Sequence, residues 1–503
     1  MSGDAFFNRP PLTLATKLAY GSGSVAYGVA FAGLSGAVLQ IYLNQVLGLA
    51  PLVVGASIMV SLMVDAVLDP LIGQWSDKLR TPWGRRHPLM YAAAAPVAVF
   101  FCLLWNAPRG LGPGALIAFT LAMMIAVRVS VSLYEIPSNA LTPELTPSYD
   151  ERTTLQSYRW FFGIIGGAAI GMVLNLVFLR TSAANPAGIL NRAGYAHWAF
   201  LAAAAMLISI LISTRGTHDQ IRYLPRAARQ TRSFADAARE IRLTLTNRSL
   251  LALMLGGVLG GVGGGIQAGL SIYLFTHFWG LDPSQIGLLV PLGSVGSIMA
   301  VFLAPPLARR FGKKAATIGL FLVSVVTTAG PIFLRLVHIV PPNGSAWITP
   351  ILIADGVVNY TVAIVGYILV GSMMADVVED AAVRSGARSE GLLYAVNGLL
   401  PKFTGGIGAF VAGVLLTLVH FPAHALKGTV APALMTHLVV IYLPLTAGLS
   451  LASIAVLGLY RIDRRVHEEN LASLREAAAV ALAGHGMEAA EAGEGAVPLI
   501  ARR

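Results

Sequence analysis

The sequence predicts an all-α membrane protein with twelve transmembrane helices arranged as two six-helix bundles. Three observations carry this prediction: the chain is strongly apolar, its charged residues gather in short segments, and apolar stretches recur between those segments. Of 503 residues, 56% are hydrophobic and only 12% are charged, whereas a soluble globular protein carries about 25% charged residues. Each apolar stretch is long enough to cross a bilayer, which takes about 20 residues of helix.

The apolar stretches predict the position of each helix. The first six lie near residues 17–43, 50–76, 87–107, 112–141, 152–179 and 194–214. The second six lie near residues 248–279, 283–307, 313–335, 347–376, 390–418 and 430–460. The helix count is even, so both ends of the chain are expected on the same side of the membrane.

Lysine and arginine are concentrated in alternate loops, at 78–86, 215–248, 309–314 and 461–465. The positive-inside rule predicts that these loops and both termini are cytoplasmic, in a protein of the cell inner (plasma) membrane. The net charge of +11 therefore reports topology, and we expect no nucleic-acid partner. The single cysteine, Cys102, excludes a disulfide framework and a cysteine-based metal site.

The charge pattern also predicts the domain organisation. We expect an N-terminal bundle over residues 1–214, a cytoplasmic loop over 215–247, a C-terminal bundle over 248–460 and a cytoplasmic tail over 461–503. Within the loop, SFADAAREIRLTL has the pattern of an amphipathic surface helix. The two halves have similar segments at matching positions, with basic residues around a glycine. These segments are GQWSDKLRTPWGRRHP after the second helix and PLARRFGKKAA after the eighth. Such a repeat predicts a site between two parallel bundles at mid-membrane.

Ionisable residues inside the apolar helices are the strongest functional signal, because each costs several kcal/mol to bury in a bilayer. Asp65 and Asp69 are four residues apart, so they share one face of the second helix. Two carboxylates one turn apart favour a shared proton or a bound cation, which is what a coupling site requires. Alternatively, Asp69 only caps the helix or pairs with the basic loop.

The fourth helix places Arg128, Ser132 and Glu135 on one face. Arg128 is expected either to act in gating or to neutralise Glu135 within the same helix. Pro137 is expected to break the helix just after Glu135 and to free backbone carbonyls.

Two further basic residues lie inside the spans. Arg159, in the fifth helix, presents a guanidinium that can hold two hydroxyls or a carboxylate. Lys402, in the eleventh helix, has no acidic residue nearby in sequence, so its partner is expected on the second or fourth helix. Tyr27 and Tyr367 either stack on a sugar ring or serve only in helix packing.

Three ordered stretches carry a family resemblance over residues 15–460. They are DAVLDPLIGQWSDKLRTPWGRRHP, YEIPSNALTPELTPSYDERTTLQSYR and MMADVVEDAAVRSGARSEGLLYAVNGLLPKFTGGIGAF. The chain resembles the glycoside–pentoside–hexuronide:cation symporters, a branch of the major facilitator superfamily that includes the melibiose permeases. The resemblance implies the major facilitator fold and symport of a sugar with a cation, H⁺ or Na⁺. No other cofactor is expected.

The resemblance also implies roles for individual residues. Asp65 and Asp69 match the carboxylates that hold the coupling cation (and would be metal ligands if that cation is Na⁺), and Ser132 matches a hydroxyl of the same site. Glu135 and Arg159 match sugar contacts, and Lys402 matches a lysine near the cation carboxylates. Tyr27 and Gly28 replace a Lys–Asp pair, Asn139 replaces a tryptophan, and Tyr367 stands at an aromatic position. We therefore expect Tyr27, Asn139 and Tyr367 in the substrate site. Leu68 replaces a cation-ligating asparagine, which favours a proton.

Two other functions remain open at this point. The same fold resembles carriers of lysophosphatidylcholine, so a lysolipid or another amphiphile is the rival substrate. A more remote alternative is an intramembrane enzyme that uses Asp65 and Asp69 as an acid–base pair. We expect a monomer, surrounded by lipid, that is not an enzyme and works by alternating access.

Overall fold

The computed structural model describes residues 10–183, 188–224, 248–385, 390–462, 465–466 and 469. The amphipathic helix expected within 215–247 and almost all of the tail expected over 461–503 lie outside these residues. Within them, eleven helices are long and apolar enough to cross a membrane, and a bent pair at the start makes a twelfth span. The predicted fold class is confirmed.

The twelve spans are α1 (Leu14–Leu34 with Gly36–Val46), α2 (Pro51–Lys78), α3 (His87–Trp105), α4 (Pro113–Leu145), α5 (Tyr149–Val173), α6 (Arg192–His218), α7 (Arg248–Tyr273), α8 (Pro283–Phe311), α9 (Lys313–Leu336), α10 (Ile348–Ser385), α11 (Glu390–Leu418) and α12 (Pro432–Leu457). Five-residue π-helical turns lie at the C-terminal ends of α1, α5 and α7. They are Tyr42–Val46, which is the last part of α1, Leu174–Phe178 directly after α5, and Leu274–Phe278 directly after α7. Such turns are rare and often lie at functional sites.

The two ends of the helix bundles differ in charge. We call the end where α2 meets α3 and α8 meets α9 the basic face, and the other end the opposite face. At the basic face, Arg86 lies 2.9 Å from Glu144 of α4, and Lys313 lies 2.7 Å from Asp376 of α10. Because α4 and α10 are equivalent helices of the two halves, the repeat in the sequence corresponds to a repeated ion pair.

The first span is not the straight helix that the sequence predicts. Its two parts, Leu14–Leu34 and Gly36–Val46, meet at an angle of 41°. Ser35 between them is extended, with φ −61° and ψ 146°, so it interrupts the helix. The carbonyl of Leu34, at the end of the first part, accepts a hydrogen bond from Arg128 Nη2 of α4 at 3.2 Å. A side chain from a neighbouring helix therefore satisfies a carbonyl at the break.

The predicted break at Pro137 is wrong, because α4 continues through Pro137 and Pro143 to Leu145. A proline removes one backbone donor, so Leu133 loses its usual partner. Spanning helices tolerate such a loss when neighbouring helices hold them in place, and α4 packs against both α2 and α3.

The bundles meet through close helix contacts toward the opposite face, where α2 packs on α11, α1 on α7 and α5 on α8. A Cβ added at Gly55 of α2 would lie 2.7 Å from the carbonyl oxygen of Ala409 in α11. A Cβ added at Gly287 of α8 would lie 2.7 Å from Asn175 at the end of α5. Small residues thus let the backbones approach, as is usual between membrane helices.

Buried amides complete this contact between the bundles. Tyr273 at the end of α7 donates to Asn44 Oδ1 of α1 at 2.8 Å. Gln45 Nε2 donates to the carbonyl of Pro422 at 3.0 Å, and its Oε1 accepts from the backbone of Ala425 at 2.8 Å. Asn44, Gln45 and Tyr273 are each at most 1% exposed. We call these three residues and their partners the opposite-face seal.

Candidate functional site

Four of the predicted site residues come together between the bundles: Asp65 and Asp69 of α2, Ser132 of α4 and Lys402 of α11. We call them the carboxylate cluster. Lys402 Nζ lies 2.7 Å from Asp65 Oδ2 and 2.5 Å from Asp69 Oδ2. Ser132 Oγ lies 3.1 Å from Asp65 Oδ1 and 2.8 Å from Asp69 Oδ1. The partner that the sequence requires for Lys402 is therefore on α2, one of the two helices expected.

The cluster is enclosed, since the exposed fractions of its charged side chains are 7% for Asp65, 27% for Asp69 and 24% for Lys402. The two carboxylates meet because four residues make about one helical turn. Each carboxylate turns one oxygen toward the ammonium group and the other toward the serine hydroxyl. A hydroxyl has one proton to donate, so it bonds to only one carboxylate at a time.

Arg128 lies beside this cluster rather than against Glu135, so the ion pair within α4 considered from the sequence is wrong. Its Nε donates to Ser61 Oγ at 3.2 Å, one turn from Asp65 on α2. It is close enough to Asp65 for the two charges to interact. Two carboxylates thus face two basic groups, Lys402 and Arg128.

A second polar group surrounds Glu135 of α4. Arg159 Nη2 of α5 donates to Glu135 Oε1 at 2.5 Å, and Asn139 Nδ2 donates to the same oxygen at 3.0 Å. The other oxygen, Oε2, is buried and has no hydrogen-bond partner within the described structure. A buried acceptor without a donor is costly, so a bound molecule that donates a hydroxyl or an amine would stabilise it.

Two residues that the sequence analysis did not identify hold Arg159 in place. Ser138 Oγ accepts from Arg159 Nη1 at 2.6 Å, and the guanidinium carbon lies 5.2 Å from the centre of the Tyr20 ring. The Tyr20 hydroxyl donates to the Ser138 carbonyl at 2.7 Å. Tyr20 is seven residues before Tyr27, and this spacing, which places both on one helix face, could have identified Tyr20 as a site residue. No pattern in the sequence identifies Ser138.

The two predicted tyrosines differ in position. Tyr27 of α1 is 47% exposed and lies close enough to Glu135, Lys402 and both aspartates to interact with their charges. It therefore stands between the two polar groups. Tyr367 of α10 is 69% exposed, and no described contact joins it to either group.

Gly28 has a packing role that explains a departure from the family pattern. The helix α1 packs on α5, and a Cβ added at Gly28 would collide with the carbonyl oxygen of Gly163. A Cβ added at Gly167 would in turn lie 2.7 Å from the carbonyl oxygen of Gly28. The Asp that the melibiose permeases have at this position has no space here.

Two six-helix bundles that enclose a charged site at their interface have the architecture of a secondary transporter. The match to the family of MFS/sugar transport proteins covers residues 19–464. The chain belongs to this family, and it is a multi-pass membrane transporter rather than an enzyme.

Characterised and uncharacterised relatives agree with this assignment. The chain is 24% identical to an uncharacterized symporter of Synechocystis sp. over 477 residues, covering 80% of this chain and 86% of the relative. It is 24% identical to the isoprimeverose transporter of Lactiplantibacillus pentosus over 446 residues, covering 87% and 86%. The inward-open xylose transporter XylE of E. coli has the same fold, with a TM-score of 0.56 at 15% identity, covering 91% and 98%.

Proposed function

We propose that this protein is a symporter that carries a sugar or glycoside together with a proton or Na⁺ by alternating access. The observation that carries the proposal is the position of Lys402, a residue of the second bundle, between Asp65 and Asp69 of the first. A charge contact that crosses the bundle interface can control whether the bundles separate. The sugar-transporter names among the relatives support the substrate class.

Coupling follows from competition for the two carboxylates. When a cation neutralises Asp65 and Asp69, it weakens their attraction for Lys402 and Arg128. The bundles then lose a contact that holds them, and the loaded carrier can change conformation. The cation and the sugar must each favour the binding of the other by the same factor.

The ligand set favours a proton over Na⁺. The cluster offers oxygens from two carboxylates and one serine hydroxyl, and Leu68 between the aspartates adds no further oxygen. A proton needs a single oxygen, whereas a hard metal cation needs a shell of about six. With Na⁺, Asp65 and Asp69 would be its metal ligands.

The Glu135 group supports recognition of a hydroxylated substrate. The unpartnered Oε2 of Glu135 can accept from a sugar hydroxyl, and the exposed Asn139 adds an amide to the same surface. Tyr27 offers a half-exposed aromatic ring beside them. These three residues and Arg159 form our proposed substrate site. Tyr367, as a further wall on α10, stays a prediction.

The arginine-rich basic face supports a cytoplasmic orientation of that face in the inner membrane, with both termini on the same side. In this proposed orientation, the opposite-face seal would close the outer entrance, as an inward-facing conformation requires. A cation and a sugar would then leave toward the cytoplasm.

The test is uptake into proteoliposomes containing the purified protein, with imposed proton or sodium gradients and a panel of labelled sugars and lysolipids. The informative variant is Asp65→Asn, and the matched control is Asp282→Asn, whose carboxylate pairs with Lys427 and is 46% exposed. We expect gradient-driven sugar uptake in the parent and the control and none in Asp65→Asn. Uptake of lysolipid without sugar, or unchanged coupling in Asp65→Asn, would contradict the proposal.

A further inference from the structure

Asp355 is a carboxylate inside the spans that, within the described structure, lacks the kind of basic partner that Asp65, Asp69 and Glu135 have. Asp65 and Asp69 pair with Lys402, and Glu135 pairs with Arg159. Asp355 lies in α10, within the apolar span Ile348–Val377. Among the described residues its only side-chain partner is neutral, the amide of Asn359.

The positions of residues in α10 and α9 both indicate how deep Asp355 lies in the membrane. Trp347, which precedes α10, is 68% exposed, and tryptophan is typical of the membrane interface. Asp355 is eight residues after Trp347 in α10. In the neighbouring helix α9, Thr327 is likewise eight residues from Arg335, which lies near the end of that helix. Eight helical residues rise about 12 Å. Asp355 and Thr327 therefore lie at the same level, inside the hydrocarbon region, where an isolated charge costs several kcal/mol.

The contacts of Asp355 are made by neutral groups. Asn359 Nδ2 donates to Asp355 Oδ2 at 3.0 Å. Asn359 Oδ1 accepts from the hydroxyls of Thr327 and Thr328 of α9, at 2.9 and 3.2 Å. The threonines thus hold the amide with its nitrogen toward the carboxyl group. No described donor reaches Asp355 Oδ1.

The charged groups of the surrounding helices do not compensate Asp355. The helix α10 packs on α8 and α9 and touches α7 and α11. Arg335 is bonded to the carbonyls of Val340 and Pro341 and to Asn343, and Lys402 is held by the aspartates of α2. Among the side chains that the structure describes, the other charged residues of these helices lie toward the basic face: Arg248, Arg309, Arg310, Lys313, Lys314, Asp376 and Asp380. The nearby titratable groups of α10 are the phenols of Tyr360 and Tyr367.

We propose that Asp355 is a second proton-binding site, protonated at neutral pH and separate from the carboxylate cluster. A proton removes the cost of the charge and needs only one oxygen. A metal cation would need several oxygens directed at it, but Asn359 turns its nitrogen toward the carboxyl group and the threonine hydroxyls face Asn359. The protein would then have a proton-binding site in each bundle, at Asp65 and Asp69 on α2 and at Asp355 on α10.

The first test is chemical modification by dicyclohexylcarbodiimide, an apolar reagent that adds to protonated carboxyl groups. The carboxyl oxygen bonds to the central carbon of the reagent, and the proton moves to one of its nitrogens. Peptide mass spectrometry of the full-length protein at neutral pH is expected to find the adduct on Asp355. The ion-paired Asp65 and Glu135 are expected to remain unmodified, and Lys402→Met, which frees Asp65 from its ammonium partner, serves as the positive control. If the reagent modifies Asp65 in Lys402→Met but leaves Asp355 unmodified, the proposal is overturned.

Infrared spectroscopy gives a second measurement that does not depend on transport. We expect the protein at neutral pH to show a C=O stretch of a protonated carboxyl group that is lost in Asp355→Asn and shifts in Asn359→Leu, which removes the hydrogen bond. Identical spectra for the parent and Asp355→Asn would refute the site. Neither measurement uses transport as its readout, and the infrared measurement can also be made in Asp65→Asn, so the outcome is independent of whether symport itself is confirmed.

Discussion

Lys402 Nζ lies 2.7 Å from Asp65 Oδ2, and this contact joins the two bundles by charge in the interior of the membrane. Removing only the lysine leaves two carboxylates together without their ammonium partner. Breaking a buried pair in this way costs about 3 to 5 kcal/mol. We expect Lys402→Met to lower the midpoint of thermal unfolding in detergent and to abolish coupled uptake.

The control for this prediction is Lys427→Met, because Lys427 pairs with Asp282 at the surface and is 42% exposed. Exposed pairs contribute about 0 to 1 kcal/mol, so its midpoint should hardly change. Replacing Asp65 and Asp69 by asparagine in the Lys402→Met background should recover much of the lost stability. A triple variant as unstable as Lys402→Met would contradict the assigned cause.

Arg159→Lys tests the role of the guanidinium in positioning Glu135. Arginine bonds Ser138 and Glu135 at once through two nitrogens, which an ammonium group on a flexible stem does not reproduce. The loss of one charge-assisted hydrogen bond predicts a decrease in substrate affinity of about 10- to 100-fold. Equilibrium binding of the transported sugar measures it. Arg152→Lys is the control on the same helix, since Arg152 bonds only backbone carbonyls in the described contacts. An equal loss of substrate affinity in both variants would argue against a specific role of Arg159.

Gly28→Ala tests the contact between α1 and α5. The added methyl group collides with the backbone of Gly163, and overpacking of this kind costs about 1 to 3 kcal/mol. We expect a lower unfolding midpoint. Gly171→Ala is the matched control in α5, because a Cβ there meets nothing within 4 Å. If the two variants are equally stable, the close approach at Gly28 has no energetic importance.

Gln45→Leu tests the opposite-face seal. The substitution removes the bonds to Pro422 and Ala425 and leaves their buried backbone groups unsatisfied, at about 1 to 3 kcal/mol each. The equilibrium should move by about tenfold or more toward opening at that face. Spin labels at Arg109→Cys and Ala423→Cys, in a Cys102→Ala background, should report a longer distance.

Gln285→Leu is the control for the seal, because Gln285 lies at the same face but bonds Thr349 within its own bundle. Its label distances should match those of the parent. A Gln45→Leu variant that gives the same distances as the parent would show that the amide does not hold the entrance closed.

Sequence patterns predict the features that depend on one helix at a time. The spacing of Asp65 and Asp69 fixes their common face, and the isolation of Lys402 in its own helix requires a partner elsewhere. The bend at Ser35, the bond from Arg128 to Leu34 and the packing of Gly28 depend on which helices become neighbours, so spacing within one helix does not reveal them. Asp355 is a different case: it is a lone carboxylate in an apolar stretch, the same signal that identifies Asp65, and it could have been found.

The glycine contacts between the bundles also bear on the class of solute. The α2–α11 and α5–α8 contacts are two places between the bundles where a lipid tail could pass sideways. Toward the opposite face, Gly55 and Gly287 bring the backbones so close that a single added carbon would collide with the facing helix. An acyl chain has no lateral passage there in this conformation, whereas a water-soluble sugar travelling along the axis between the bundles needs none. Entry of an acyl chain at that face would therefore require these close backbone contacts to separate.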